Sequence, residues 1–380
     1  MKIAVVCYPT YGGSGVVATE LGKCLAMRGH EIHFVSYAMP SRLSHFIENI
    51  LYHEVEMYSY PLFEFPLYSL ALASKLVEVV RFNDIDLIHA HYAIPHASSA
   101  FMAKEILESE NKLSKKVKVI TTLHGTDITL IGLEPSFLPT MKFSIEKSDG
   151  VTAVSKFLKD KTLSNYKINK EIEVIPNFID IDKYKRPEEE KILNFKKTFA
   201  PNNEKILVHT SNFRPLKRVP DVIRIFAKVN EKVPSKLLLM GDGPDRSESE
   251  RLGRELNVFE HIKFMGKQDQ IAEILSIADL FLMPSQSESF GLSALEAMSC
   301  SVPCITSSVG GLPELNIHGE TGYIAEIGDI DRMAKYAIDL LTNEKKFKLF
   351  SRNARKRAEE LSEEKIVLDY EEFYRKVIEC

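Results

Sequence analysis

Two glutamates, Glu288 and Glu296, are separated by seven residues in a segment that starts as a loop and continues as a predicted helix. Between them, the backbone N–H groups of Phe290, Gly291 and Leu292 stand at the predicted helix start, where they can bind phosphate oxygens. A carboxylate can accept hydrogen bonds from two hydroxyl groups, so Glu296 suits a ribose and Glu288 a sugar ring. The spacing indicates a sugar-nucleotide site, with an ordinary capped helix and solvated acids as the alternative.

A pair of cations follows a strand-like run in the second half of the chain. The run Ile206 to Thr210 continues into a loop that contains Arg214 and Lys217. A guanidinium fork and an ammonium point charge together suit a diphosphate. We therefore predict that both side chains bind a diphosphate, and a simple surface pair is the alternative.

Metal-assisted diphosphate binding would instead need a suitably placed Asp-x-Asp triplet. Cys300 and Cys304 also lack the His or Cys companions that a zinc site requires. The sequence therefore predicts no metal site and no cofactor. Three Asp-x-Asp triplets are present and are interpreted as structural: Asp84 with Asp86 before a strand, Asp180 with Asp182 in a linker, and Asp329 with Asp331 at a helix start.

A glycine-rich loop follows the first predicted strand and opens a helix. Gly13, Ser14 and Gly15 stand where backbone can approach an anionic ligand closely. With Ala18, the two glycines match the G-x-G-x-x-A spacing of dinucleotide folds. An NAD site also expects an acid after the second strand, but the sequence there is Ser36-Tyr37-Ala38. NAD is therefore disfavoured, while a ligand-free turn stays open.

A histidine follows another predicted strand, in the tetrapeptide His124-Gly125-Thr126-Asp127. A histidine at this strand end can bind a sugar hydroxyl or a phosphate, although local backbone could equally satisfy it. Asp127 is expected to cap the following turn. Tyr92 and His96 follow a further strand, where they either line the pocket or pack under the loop.

These motifs depend on elements that bring them to the edge of a sheet. Short runs rich in Val, Ile and Leu alternate with longer segments of helical periodicity, which is typical of parallel sheets covered by helices. The predicted strands are Ile3 to Tyr8, Glu31 to Tyr37, Leu87 to His91, Val117 to Leu123, Gly150 to Val154, Lys205 to Ser211, Lys236 to Met240, His261 to Met265, Leu280 to Met283, Val302 to Ser307 and Gly322 to Ala325. The predicted fold class is α/β, with two Rossmann-like, doubly wound parallel-sheet domains facing a central cleft.

A polar, proline-containing stretch separates the two series of strands. We place an N-terminal, acceptor-side Rossmann-like domain at residues 1–175, a linker at 176–204, a nucleotide-sugar-binding domain at 205–360 and a C-terminal helix at 361–380. Ligands of such folds bind at the carboxyl ends of the strands. Since the predicted site residues are divided between both domains, we expect domain closure to complete the site.

Composition and charge exclude several classes of function. The 380 residues include 49 Lys and Arg against 53 Asp and Glu, a net charge of -4, which disfavours nucleic-acid binding. The apolar stretch Leu67 to Val80 is interrupted by Lys75 and Glu78, so it cannot span a bilayer. Five scattered cysteines are typical of reduced thiols. These features predict a cytoplasmic protein without a transmembrane segment.

Taken in order, the glycine loop, the His124 turn, the Arg214 and Lys217 pair and the two-glutamate motif resemble the retaining glycosyltransferases of the GT-B fold, family 4. The resemblance covers essentially the whole chain. It implies a metal-independent transfer with retention at the anomeric carbon, and a homodimer. The family commonly has Gly-Arg-Leu where this chain has Ser211-Asn212-Phe213, so Arg214 is expected to supply the guanidinium.

Three segments, Tyr8 to Gly15, His89 to His96 and Thr121 to Thr129, resemble more closely the family members that open bacillithiol biosynthesis. That resemblance implies UDP-N-acetylglucosamine as donor and L-malate as acceptor. The assigned site residues are His124, Arg214, Lys217 and Glu288 for catalysis; Gly13, Ser14, Gly15, Asn212, Ser289, Phe290, Gly291, Leu292 and Glu296 for the donor; and Tyr92 and Thr126 for the acceptor.

Other functions stay open on the sequence alone. They are transfer from a UDP-sugar to a different small acceptor, a UDP-sugar epimerase of the same fold, and a non-catalytic nucleotide-sugar sensor. The apolar stretch Tyr60 to Tyr68 suits a dimer surface, a membrane contact or internal packing equally well.

Overall fold

The protein is described by a computed structural model that covers residues 1–10, 12–43, 46–57, 67–110, 116–187 and 189–380. By spatial proximity the chain divides into two units. The first contains Met1–Asn177 and Glu363–Cys380, and the second contains Phe178–Ser362. The stretch 176–204, expected as a linker, instead contains a helix and joins the second unit from Phe178 onward. Most of the stretch Tyr60 to Tyr68 lies outside the described residues.

In the first unit, the described residues form a seven-stranded parallel sheet. The strands are β1 (Lys2–Val6), β2 (Glu31–Ser36), β3 (Ile50–Glu54), β4 (Leu87–His91), β5 (Lys118–Leu123), β6 (Gly150–Ala153) and β7 (Glu173–Val174). Their spatial order is β3-β2-β1-β4-β5-β6-β7, and register pairs such as Val6 with Val35 and Val6 with Ala90 fix β1 between β2 and β4. The order reverses beside β1, which is the switch point where ligands of doubly wound sheets bind.

Amphipathic helices cover this sheet. They are α1 (Ser14–Met27), α2 (Tyr68–Asn83), α3 (Ser98–Glu110), α4 (Thr126–Thr129), α5 (Leu138–Lys147) and α6 (Lys156–Tyr166), with helical turns at Ala93–Ala97 and Ile131–Leu133. Leu72, Leu76 and Val80 repeat at helical spacing along α2 and are buried in one cluster with Ala4 and Val35 of the sheet. This burial of apolar side chains holds α2 on the sheet.

The second unit repeats the same construction with a six-stranded parallel sheet of order β10-β9-β8-β11-β12-β13. Its strands are β8 (Lys205–Thr210), β9 (Ser235–Met240), β10 (Ile262–Gly266), β11 (Leu280–Met283), β12 (Cys304–Ser307) and β13 (Gly322–Ala325). Its helices are α7 (Glu189–Phe199), α8 (Val219–Asn230), α9 (Arg246–Glu255), α10 (Ile271–Ser276), α11 (Leu292–Ser299), α12 (Leu312–Leu315), α13 (Ile330–Thr342) and α14 (Glu344–Glu360), with 3₁₀ turns at Pro215–Lys217 and Phe259–His261. The core packs Leu207, Leu282 and Ile305 against Phe226 and Leu340.

The α/β fold class predicted from the sequence is confirmed, because both sheets are parallel and doubly wound. Strands β3 and β7 were not expected. Both lie at the edges of their sheet, β3 has a half-exposed Ile-Leu-Tyr-His-Glu sequence, and β7 has only two residues. Edge strands of this kind lack the continuous apolar run by which buried parallel strands are found. Across the described residues, no helix is both long and apolar enough to cross a membrane.

The last helix, α15 (Glu363–Glu379), returns to the first unit and is held there by a buried carboxylate. Glu371, which is 4% exposed, accepts hydrogen bonds from Arg28 Nε at 2.9 Å and Arg28 Nη2 at 3.0 Å. Its Oε1 also lies 2.8 Å from His30 Nε2. The hydrogen bond from Arg28 lowers the pKa of Glu371 to about 2, from an ordinary value of 4.5.

We predict that Glu371→Gln lowers the free energy of unfolding by about 2 to 3 kcal/mol at neutral pH, because the ion pair with Arg28 is lost. A carboxylate with a depressed pKa stabilises the fold above its unfolded pKa. That stabilisation is lost as the pH falls from 4.5 toward about 2. Urea denaturation of the parent and of Glu371→Gln across that pH range should therefore show that the difference in their free energies of unfolding shrinks as the pH falls.

Glu372→Gln is the matched control, because its side chain is exposed on the next position of the same helix. Its unfolding free energy should stay within about 0.5 kcal/mol of the parent. If the difference in unfolding free energy between the parent and Glu371→Gln does not shrink in acid, packing and not charge holds α15.

Candidate active site

The loops after β8 and β11 form one side-chain cluster in the second unit. These strands are neighbours in the sheet, so their carboxyl ends leave the same edge. Lys217 Nζ lies 2.5 Å from Glu288 Oε1, and Ser285 Oγ donates to the same oxygen at 3.0 Å. The backbone N–H of Gln286 donates to the carbonyl of Leu216 at 2.7 Å. The structure thus joins two predicted catalytic residues and adds the buried Ser285, which sequence reasoning missed.

Arg214 and Asn212 lie exposed on the same loop as Lys217. Among the described residues, the guanidinium of Arg214 forms no ion pair, so the structure does not bring it to Glu288. Between them, Phe213 is fully buried and anchors the loop. The loop also packs on Gly243, where a Cβ would overlap the carbonyl of Asn212. The sequence signal for this packing is the pair of glycines after β9, which sequence reasoning did not use.

A second pair of glycines holds the backbone of the two-glutamate motif. A Cβ at Gly310 would overlap the carbonyl oxygen of Glu288, and one at Gly311 would overlap that of Ser289. The N–H of Gly311 also donates to the Glu288 carbonyl at 3.0 Å. Only glycine therefore allows the chain after β12 to approach the Glu288 loop this closely. The sequence signal was the pair itself, which begins three residues after the end of a predicted strand.

The predicted phosphate cradle precedes α11. Phe290 is buried, Ser289 is half-buried, and Gly291 has a φ of 105° directly before Leu292, where the helix begins. Within the described residues, no side chain caps this helix, so the N–H groups of its first turn retain the capacity to bind an anion. The geometry of this segment suits the predicted role.

The two glutamates of the motif contact different residues. Glu296 is 5% exposed on α11, and its Oε1 accepts a hydrogen bond from the Tyr184 hydroxyl at 2.9 Å. Tyr184 lies 112 residues earlier in sequence. Sequence reasoning missed Tyr184 because no local pattern relates it to the motif.

In the first unit, the predicted donor residue Ser14 and the predicted acceptor residue Tyr92 are in direct contact. Ser14 Oγ donates to the Tyr92 hydroxyl at 2.7 Å. Gly13 has a φ of 58° directly before α1. A Cβ at Gly15 would lie 2.5 Å from the Tyr8 carbonyl oxygen. Glycine is therefore needed at this position because the loop packs closely on itself, in addition to any approach of a ligand.

His124 is paired with a second histidine that sequence reasoning did not select. Its Nε2 lies 2.8 Å from Nδ1 of His91, and the two rings stack with centroids 5.1 Å apart. Desolvation, together with His96, lowers the pKa of His124 to about 3. The ring of Tyr92 lies 5.5 Å from that of His124. His124 is thus neutral at physiological pH, so its ring can form hydrogen bonds but not an ion pair.

The expectation that Asp127 caps the following turn is wrong. Asp127 lies inside α4 and is 1% exposed. It accepts hydrogen bonds from the backbone N–H of Gly125 at 2.9 Å and of Ala93 at 3.2 Å. Burial raises its pKa to about 6. The carboxylate therefore ties the loop after β5 to the loop after β4, while Thr126 stays exposed at the start of α4.

The Asp-x-Asp triplets have structural contacts. Asp86 accepts from the Lys2 N–H at 2.6 Å, Asp180 accepts from the N–H groups of Asp182 and Lys183, and Asp329 caps α13 through the Arg332 N–H at 3.1 Å. In the part of the chain that the structure describes, no group of three or more His, Cys, Asp or Glu side chains is placed to hold a metal ion.

Two doubly wound α/β units are the construction of the GT-B fold. Residues 11–183 match the family model described as Glycosyltransferase Family 4, and residues 190–357 match Glycosyl transferases group 1. The chain is 47% identical over 380 residues to N-acetyl-alpha-D-glucosaminyl L-malate synthase of Bacillus anthracis, covering 100% of this chain and 97% of the relative. The chain therefore belongs to glycosyltransferase family 4.

Solved structures support the same fold. A glycosyltransferase from Rickettsia africae has a TM-score of 0.82 at 22% identity, with 99% of this chain and 98% of that chain covered. Anabaena HepE, in complex with UDP and glucose, has a TM-score of 0.79 at 20% identity, with 98% of each chain covered. At this identity the likeness shows the fold alone.

We predict that Gly310→Ala lowers kcat/KM at least about tenfold, because a Cβ there displaces the Glu288 carbonyl and with it the loop of the site. Steady-state kinetics with the donor and acceptor measure this loss.

Gly319→Ala is the control. Gly319 also has a positive φ, of 80°, but nothing lies within 4 Å of its Cβ position. Its backbone strain of about 1 kcal/mol should lower the melting temperature slightly and leave kcat/KM unchanged. Equal kinetic losses in both variants would show that strain, and not the contact with Glu288, controls the loop.

Proposed function

We propose that this chain transfers N-acetylglucosamine from UDP-N-acetylglucosamine to the hydroxyl of L-malate, with retention at the anomeric carbon and without a metal ion. The observation that carries the proposal is the full-length, 47% identity to the Bacillus anthracis enzyme whose name states that product. The site geometry supports it, because the second unit presents the charged groups that a sugar nucleotide needs.

The donor is assigned mainly to the second unit, with Gly13, Ser14 and Gly15 of the first unit also predicted to bind it. Lys217 and Arg214 provide positive charge for the diphosphate, together with the N–H groups at the start of α11. Glu288 accepts hydrogen bonds from the sugar hydroxyls, and Glu296 from the ribose. The Lys217 ammonium already lies on Glu288 Oε1, which holds both side chains in place before a ligand arrives.

The acceptor is assigned to the first unit. Tyr92 and Thr126 offer hydroxyl groups, and His124 offers a neutral ring nitrogen. These groups can orient a hydroxy acid by hydrogen bonds. Ser14, a predicted donor residue, donates a hydrogen bond to the Tyr92 hydroxyl and so fixes its position.

Transfer is a front-side displacement. The bond between the anomeric carbon and the β-phosphate oxygen breaks, the malate oxygen bonds to that carbon from the same face, and the malate proton passes to the departing phosphate oxygen. Lys217 and Arg214 stabilise the charge that develops on UDP, which is the type of interaction that contributes most to many enzymes. Asp127 is unsuited to act as a nucleophile, because it is buried and bound by two backbone N–H groups.

The reaction itself is tested by mass spectrometry of purified protein with UDP-sugars and small hydroxy acids, in the presence and absence of excess EDTA. We expect UDP release that depends on malate, a product with the mass of N-acetylglucosaminyl malate, an α-anomer by NMR, and no effect of EDTA.

Three outcomes would contradict the proposal. A changed sugar without acceptor would indicate an epimerase, tight binding without turnover a sensor, and preference for another hydroxy acid a different acceptor. A location in the cytoplasm and a homodimeric state stay predictions from the sequence.

We predict that Lys217→Ala lowers kcat by about two to three orders of magnitude, the scale of a lost preorganised donor. UDP binding, measured by calorimetry, should weaken as well, because Lys217 loses its contact with the diphosphate in the ground state too.

Lys228→Ala is the matched control, because Lys228 also forms a lysine–carboxylate pair in the second unit, with Asp331 at 2.9 Å, but in an exposed position. Its kcat should equal that of the parent. Full activity of Lys217→Ala would remove Lys217 from the mechanism.

A further inference from the structure

The contact between Tyr184 and Glu296 is a buried hydrogen bond between an uncharged donor and a carboxylate. The Tyr184 hydroxyl lies 2.9 Å from Glu296 Oε1, and the two residues are 2% and 5% exposed. A buried carboxylate oxygen needs such a donor, and hydrogen bonds to charged groups are stronger than neutral ones. The bond therefore fixes the orientation of the Glu296 side chain.

Tyr184 itself is anchored through its main chain to the helix that bears Glu296. Ser299 Oγ on α11 donates to the Tyr184 carbonyl at 2.6 Å. From α14, Arg355 Nη1 donates to the same carbonyl at 3.0 Å and to the Ser299 carbonyl at 2.7 Å. The tyrosine is thus held at both ends, by its hydroxyl on Glu296 and by its carbonyl on Ser299.

An oriented carboxylate can bind a diol better than a mobile one. An ionised carboxylate has about four acceptor sites, so Tyr184 on one oxygen leaves capacity for further hydroxyl donors. A side chain that is already fixed loses little rotamer freedom when the ligand binds. This gain in binding affinity is expected only for a ligand that carries hydroxyl groups.

We propose that Tyr184 is a positioning residue for ribose recognition: it holds Glu296 in the orientation that binds the ribose hydroxyls of the donor. This inference rests on the proposed function, which assigns Glu296 to the ribose. It adds a residue far in sequence from the two-glutamate motif, and it makes selectivity for a ribonucleotide depend on a tyrosine hydroxyl.

The experiment compares the dissociation constants of UDP and of its 2′,3′-dideoxy analogue, by calorimetry, for the parent and for Tyr184→Phe. The phenylalanine keeps the buried ring and removes only the hydroxyl. We expect UDP to bind about tenfold more weakly and the dideoxy analogue to bind unchanged. In steady-state kinetics, KM for the donor should rise by a similar factor, while kcat stays within about twofold of the parent.

Two further variants separate the possible failures. Glu296→Gln tests the assigned ribose contact, and it should reduce the preference for UDP over the dideoxy analogue at least as much as Tyr184→Phe. Tyr323→Phe is the matched control, because it removes another tyrosine–carboxylate bond of the second unit, to Asp339, also of 2.9 Å. Its preference for UDP should equal that of the parent.

The outcomes are distinguishable. If Glu296→Gln reduces the preference and Tyr184→Phe does not, or if Tyr184→Phe weakens both ligands equally, Tyr184 has only a structural role and the inference is overturned. If Glu296→Gln itself leaves the preference unchanged, the ribose assignment of the proposed function fails, whatever Tyr184 does. A loss for UDP alone in Tyr184→Phe, with Tyr323→Phe unchanged, supports the inference.

Discussion

The ion pair between Lys217 and Glu288 is the interaction on which the arrangement of the second unit's strand ends depends. An ammonium group and a carboxylate, each less than one-fifth exposed, are costly to bury separately but compatible when they are in contact. Ser285 donates to the same carboxylate oxygen and so satisfies part of its remaining hydrogen-bonding capacity. The pair is possible only because β8 and β11 are adjacent parallel strands, whose following loops start at the same edge of the sheet.

The backbone must come close enough for these side chains to meet, and glycine permits that approach. Gly310 and Gly311 let the chain after β12 contact the carbonyls of Glu288 and Ser289, while Gly243 does the same for Asn212. Each site loop of the second unit is therefore supported by the loop of a neighbouring strand. A side chain at any of these glycines would move a whole loop rather than one contact, which couples the fold directly to the site.

The sequence predicted the strands that lie inside each sheet, because buried parallel strands are continuous apolar runs. It did not predict β3 and β7, which are edge strands without that signal. It also identified Glu288, Lys217, Ser14 and Tyr92, which the structure joins in pairs, since each follows a predicted strand. Tyr184 and His91 were missed because neither follows a predicted strand: Tyr184 lies in the stretch expected to be a linker, and His91 is the last residue of a predicted strand. Their contacts with Glu296 and His124 are visible only in the folded chain.

The two units differ in the charge that their candidate site residues can offer. Those of the second unit include the cationic side chains of Lys217 and Arg214, which suit a diphosphate. Those of the first unit are neutral: burial lowers the pKa of His124 to about 3 and of His96 to about 4, so neither ring is cationic at physiological pH. The dicarboxylate acceptor that we propose would therefore meet hydroxyl groups and ring nitrogens there instead of imidazolium ions. Because a neutral histidine cannot form an ion pair, the acceptor's negative charge would be balanced by hydrogen-bond donors such as the Tyr92 hydroxyl, whose own oxygen accepts from Ser14, and the N–H groups at the start of α1.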